Sequence, residues 1–161
     1  HRSILPEGLR DRIPDAARMY ADYYPSRSLR TTTLFPGVRE TLTSLRASGK
    51  RMALASTKKG TGIRRATDHF GITGLFDQLQ GSDGIPFKPD PFIVNKVIAD
   101  QQWDRRQTIM VGDTDKDIIA AKNAGIATCG VTYGSFAESA IRSCAPDYIV
   151  HDFPALIAIL K

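Results

Sequence analysis

From Arg51 to Leu160, short apolar runs alternate with segments of helical period, and this alternation constrains the fold more than any other feature of the chain. Arg51 to Ser56, Phe76 to Gln80, Thr108 to Val111, Ala127 to Val131 and Tyr148 to Val150 read as strands. Ile63 to Phe70, Pro91 to Gln102, Asp115 to Asn123, Ala137 to Ser143 and Pro154 to Leu160 read as the helices between and after them. Strands joined through helices pair in parallel, and a parallel sheet needs helices on both faces. The predicted class is α/β, a Rossmann-like core. Right-handed crossovers then place every strand's carboxyl end on one rim, where open α/β sheets bind ligands.

Upstream of this core, Ile13, Ala16, Ala17, Tyr20 and Tyr24 recur at helical spacing, which predicts a helix from Pro14 to Tyr24. Residues 26–33 are polar and basic and read as a linker. Pro36-Gly37 opens a second helix, with Val38, Leu42 and Leu45 inward and Gly49 closing it. The domain reading is a small element over 1–33 and one α/β domain over 34–161, the size expected of a chain of 161 residues.

Composition excludes several classes. No apolar run approaches the ~20 residues that span a bilayer, so no membrane partner is expected. The net charge of +5 is spread out, with Lys58-Lys59 and Arg64-Arg65 its densest pairs, so it suits a small anionic substrate better than nucleic acid. Two cysteines make no disulfide framework, and Cys129 in its apolar run reads as a buried thiol. An intracellular, cytoplasmic location fits. His1 is not an initiator methionine, so the gene product is expected to begin upstream.

Three strand ends bring polar groups to the rim. Ser56-Thr57-Lys58 follows the MALA run, and its hydroxyl and backbone N–H groups could hold a phosphate oxygen. The competing reading of Ser56 is an N-cap for the next helix. Lys88 lies among Pro86, Pro89 and Pro91, which stiffen its segment, so it is either a charge clamp for a phosphoryl group or an exposed loop lysine. After Ile109-Met110-Val111-Gly112 come Asp113 and Asp117, four residues apart and so on one face of a starting helix. Paired acids there suit a hard divalent cation, most simply Mg²⁺. The simpler alternative is that Asp113 caps the helix and Asp117 is solvated in its first turn.

Taken in order, these segments resemble the haloacid dehalogenase superfamily, and within it the phosphoglycolate phosphatase-like phosphatases. LFPGV at Leu34 to Val38, the strand ending in Ser56-Thr57-Lys58, and KPDP at Lys88 to Pro91 follow that family's sequence. So do VGDTDKD at Val111 to Asp117, GVTYG at Gly130 to Gly134 and PDYIV at Pro146 to Val150. The resemblance implies a Mg²⁺-dependent phosphatase of a small phosphorylated metabolite, with phosphoglycolate the leading substrate. It implies that Ser56 and Thr57 bind the phosphate and that Lys88 neutralises charge on the transferring group. It makes Asp113 a direct Mg²⁺ ligand, and Asp117 a support for the metal that also orients Lys88. The helix at 14–24 resembles the end of the family's helical cap. Relatives of the β-phosphoglucomutase type carry an acid where this chain has Gly112, which favours the phosphatase branch.

One element of the family is missing. Its nucleophile and general acid/base are the aspartates of a DxDxT motif on the first strand, and no DxDxT occurs in these residues. Asp11 and Asp15 lack a preceding apolar strand, and Asp113-Thr114-Asp115 holds the place of the metal motif. The expectation is that an upstream segment of the same protein, removed by cleavage or supplied as another chain, carries the nucleophile. Its strand would lie between those ending at Ser56 and Val111. Without it two central edges are left open, and residues 1–161 alone are expected to be inactive and not to form a stable monomer. Two rivals remain. One is a non-catalytic anion-binding fragment. The other is a phospho-accepting receiver-like signalling domain, whose motif order of acids first and lysine last runs opposite to this one. Neither GxGxxG nor GxxxxGK[ST] is present to support nucleotide binding.

Overall fold

The computed structural model describes residues 28–160 and, ahead of them, Arg12 and Asp15. The helix expected over Pro14 to Tyr24 lies outside the described residues. The chain divides into two compact units, His1–Thr33 and Leu34–Lys161. In the first, Ser28–Arg30 forms a 3-10 turn inside the stretch read as linker.

The elements of the second unit alternate as the apolar pattern requires. Helix α1 spans Val38–Ala47 and buries Val38, Leu42 and Leu45, the face that was expected. The chain then runs through β1 (Ala53–Ala55), α2 (Gly60–His69), β2 (Gln78–Gln80) and α3 (Phe92–Gln101). It continues through β3 (Ile109–Gly112), α4 (Asp115–Asn123), β4 (Ala127–Val131), α5 (Glu138–Ser143), β5 (Tyr148–Val150) and α6 (Leu156–Ile159). Among the described residues no helix is long and apolar enough to cross a membrane.

All strand pairs are parallel. They form two sheets, β1-β2 and β3-β4-β5, rather than one. Ala53 stands opposite Gln78, Ile109 opposite Ala127, and Cys129 opposite Tyr148. The division leaves one edge of β1 and one edge of β3 without a ladder among the described residues. An apolar cleft of about 50 Å³ separates them, lined by Ala53 and Ala55 on one side and Ile109 and Met110 on the other, with Val94 and Val97 of α3 beneath. The indole Nε1 of Trp103, which also lines this cleft, is buried without a hydrogen-bond partner.

The core is built from the inward faces of the helices. Ile93, Val94 and Ile98 of α3 pack with Ala120, Ala121 and Ala124 of α4 and its C-terminal end. Cys129, Val131, Val150 and Leu156 form a second cluster across β4, β5 and α6. Burial pushes the Cys129 thiol up to about 11, so it is a protonated packing group, as expected of it.

Candidate active site

The carboxyl end of β3 is where the sequence concentrates its acids, and local physics decides what each one does. Strand β3 ends at Gly112 and helix α4 begins at Asp115. The residue between Asp113 and Asp115, Thr114, has extended backbone (φ −128, ψ 157), as an N-cap must. Its hydroxyl oxygen accepts from the Asp117 N–H at 3.3 Å. In return the Asp117 Oδ2 accepts from the Thr114 N–H at 3.2 Å and from its hydroxyl at 2.7 Å. This is a reciprocal capping box, and a side-chain cap of this kind is worth ~1 kcal/mol.

Both halves of the simpler reading are thereby corrected. Thr114 caps the helix, not Asp113. Asp117 is not solvated but only 6% exposed. Its other oxygen, Oδ1, accepts from the Lys88 ammonium at 2.5 Å. Lys88 also donates to the Ala55 carbonyl at 3.1 Å. Its side chain is 9% exposed, so it is not a loop lysine in solvent. One ammonium thus ties the end of β1 to the start of α4 across the divided sheet. Its own segment brings it there between Pro86 and the cis Lys88–Pro89 peptide.

Gly112 makes room for this arrangement. A Cβ built there would overlap the Cβ of Asp117, and its carboxyl carbon would lie only 2.6 Å away. A side chain at position 112 and the inward Asp117 compete for the same space.

Asp113 points elsewhere. Its Oδ2 accepts from the Ser135 N–H at 2.8 Å, and its Oδ1 accepts nothing from the described residues. Tyr133 stands close by. Burial, with the negative charges of Asp152 and Asp113 adding to it, pushes its phenol up to about 12, so it stays neutral at ordinary pH.

At the end of β1, the Ser56 N–H donates to the Gln80 carbonyl at 3.0 Å and continues the pairing with β2. The Ser56 hydroxyl oxygen accepts from the Lys58 N–H at 3.2 Å. Ser56 does not cap α2, whose N-cap is Lys59 with no side-chain bond. Instead Asp83 takes the Gly60 N–H at 2.6 Å, so a carboxylate already occupies the positive end of α2. The Ser82 hydroxyl donates to the Thr57 carbonyl at 2.6 Å, and its N–H to the Lys58 carbonyl at 3.1 Å. Thr57 itself is exposed on this loop.

The structure therefore links Ala55, Lys88 and Asp117 in one polar chain across the carboxyl ends of β1 and β3, while Ser56 and Asp113 stand at the same strand ends on hydrogen bonds of their own, to Gln80 and Lys58 and to Ser135. Sequence reasoning missed Thr114, Ser82, Asp83 and Ser135. Thr114-x-x-Asp117 was a legible capping pattern. The other three act through backbone groups and leave no motif.

Among the described residues no group of three or more His, Cys, Asp or Glu could enclose a metal. The open oxygen of Asp113 nevertheless suits a hard cation of the Mg²⁺ kind, which is held by one or two carboxylates plus water and substrate phosphate. Asp117, with both oxygens engaged, suits the task of fixing Lys88.

Comparison with known proteins bears on the same elements. The sequence profile of haloacid dehalogenase-like hydrolases matches residues 7–131. A phosphoglycolate phosphatase of Vibrio cholerae is 31% identical over 159 residues, which span 98% of this chain and 70% of that protein. A pyrophosphatase of Halalkalibacterium halodurans is 28% identical, over 93% of this chain and 70% of its own. The crystal structure of a predicted phosphoglycolate phosphatase from Haemophilus somnus superposes with a TM-score of 0.89 at 31% identity, over 98% of this chain and 69% of the other.

Proposed function

Because the chain belongs to the haloacid dehalogenase-like hydrolase family, we propose that the protein is a Mg²⁺-dependent phosphatase of a small phosphorylated metabolite, with phosphoglycolate its leading substrate. The observation that carries this reading is the buried Lys88 ammonium, held between the Ala55 carbonyl and Asp117. A preorganised cation at a strand-end rim is what phosphoryl transfer asks of a protein, since that chemistry is largely positioning and electrostatics.

In this reading Ser56 and Thr57 bind the non-reacting phosphoryl oxygens. Lys88 neutralises charge on the group in flight, and Asp117 keeps Lys88 in place. Asp113 would hold the Mg²⁺, which when bound supplies Lewis-acid stabilisation of the phosphoryl oxygens. The nucleophile is an aspartate outside these residues, on an upstream strand. Its carboxylate oxygen bonds to phosphorus while the bond from phosphorus to the ester oxygen breaks, and the alcohol leaves with a proton from a neighbouring acid. Water then hydrolyses the aspartyl-phosphate and releases inorganic phosphate.

The divided sheet supports the placement of that strand. A parallel strand between β1 and β3 would satisfy both open edges, fill the cleft, and end beside Lys88. For residues 1–161 by themselves, the same geometry favours anion binding without turnover, because the sequence holds no DxDxT. The order of Ser56, Lys88 and Asp113 argues against a receiver-like domain.

The substrate assignment rests on the relatives' names, and these include a pyrophosphatase. The test is phosphate release by the protein carrying its upstream strand, from phosphoglycolate, pyrophosphate and an aryl phosphate. We expect the highest kcat/KM on phosphoglycolate and loss of all activity with a chelator. Preference for pyrophosphate would overturn the substrate, and chelator-resistant turnover would overturn the metal.

A further inference from the structure

We infer that the turn Thr132–Ser135, which follows β4, is an arm that orients Asp113 toward the metal, with Gly134 and the Ser135 N–H as its positioning elements. This rests on the reading of Asp113 as a metal ligand. The Ser135 N–H is the group that fixes Oδ2 of Asp113, at 2.8 Å. Gly134 lies flat against the same side chain. A Cβ built on it would overlap the Asp113 Cβ and lie 2.7 Å from its carboxyl carbon. Only a residue without a side chain lets the turn approach this closely.

The arm is itself anchored. The Thr132 N–H donates to the Val150 carbonyl at 3.2 Å, carrying the β4–β5 pairing one residue further. The Thr132 hydroxyl and His151 Nδ1 are 2.9 Å apart. The Tyr133 ring meets Phe35 edge to face, with centroids 5.1 Å apart. A turn held at three points delivers one N–H to one carboxylate oxygen, so the other oxygen faces a fixed direction. Mg²⁺ tolerates little departure from octahedral geometry, so that direction matters. Partners that orient a metal ligand typically contribute 10- to 100-fold in metal affinity.

The test is titration calorimetry with Mg²⁺ on the protein used for the phosphatase assay. Circular dichroism and Tm would check the fold. Gly134→Ala is expected to weaken Mg²⁺ binding by about 10- to 100-fold. It should raise the Mg²⁺ concentration for half-maximal activity by the same factor, while kcat recovers at saturating Mg²⁺. Gly74→Ala, where a Cβ meets open space, is the control and should leave affinity unchanged. If Gly134→Ala does not fold, Ser135→Pro at an exposed position removes the same N–H and decides by the same criterion. A folded Gly134→Ala protein with Mg²⁺ affinity within twofold of wild type would overturn the inference. If Asp113→Ala also binds Mg²⁺ normally, the reading of Asp113 as ligand has failed. If Asp113→Ala loses Mg²⁺ and Gly134→Ala does not, only the arm has failed.

Discussion

Asp113→Ala is expected to abolish Mg²⁺-dependent hydrolysis and to leave the fold intact. The first half follows from the open Oδ1 at the end of β3, the oxygen available to a hard cation. The second half follows from Thr114, which carries the cap of α4 in place of Asp113. Among the described residues the Asp113 side chain makes a single hydrogen bond, to the exposed Ser135 backbone, so its removal should cost less than the ~1 kcal/mol of a lost cap. Denaturant unfolding alongside kcat measurement separates the two halves. A folded Asp113→Ala protein with near-normal turnover would remove Asp113 from the metal site.

Lys88→Ala is the second large effect. Removing one preorganised charge contact typically lowers kcat by ~10²–10³. Here the loss has a structural side as well. Lys88 and Asp117 are both nine-tenths buried, and stripping one partner from a buried ion pair costs ~3–5 kcal/mol because the other charge is left uncompensated. Asp117 keeps its two bonds to Thr114, which limits the damage. The variant is expected to retain its circular dichroism spectrum, with a lowered Tm. Lys88→Arg is the sharper probe. It preserves charge, but a guanidinium is larger and holds its donors in a fixed planar fork, so it does not reproduce the fit of a compact ammonium between the Ala55 carbonyl and one Asp117 oxygen. Most activity should be lost in both variants. Wild-type kcat in Lys88→Ala would take the lysine out of the mechanism.

Much of this architecture was legible in the residues, and the exceptions have physical causes. Helix α4 and strands β4 and β5 fall at the expected residues, because each has a sharp boundary: the Thr114 turn, Gly125, Pro146. Strands β1 and β2 are shorter than their apolar runs. Arg51 to Ser56 yields only Ala53–Ala55, and Phe76 to Gln80 only Gln78–Gln80. A run of apolar residues signals burial, whereas a strand needs a partner, and among the described residues β1 has one on a single side. Helix α2 begins at Gly60, three residues before the periodic pattern suggested. Gly60-Thr61-Gly62 are poor helix formers, and the Asp83 carboxylate on the Gly60 N–H anchors a first turn that propensity alone disfavours.

The site divides the same way. Ser56, Lys88, Asp113 and Asp117 could be found because the rim rule and the family motifs point at side chains. The partition of work between the two acids was implied by the resemblance alone, and its geometric cause was not legible. It depends on Asp117 turning inward over Gly112 while Asp113 turns out toward Ser135, and only the packed backbone decides that. The supporting bonds from Ser82, Asp83 and Ser135 join loops 20 or more residues apart in sequence, and no local pattern records them.

In the proposed mechanism these residues hold the electrostatic half of a phosphatase site, and the nucleophile arrives on a strand seated between β1 and β3. The deciding experiment compares Mg²⁺-dependent hydrolysis of an aryl phosphate by residues 1–161 alone with hydrolysis by a protein extended by the proposed upstream strand with a DxDxT. No turnover is expected from the first and full turnover from the second. Robust, chelator-sensitive hydrolysis by purified residues 1–161 would contradict this mechanism, because the nucleophile would then lie within this chain.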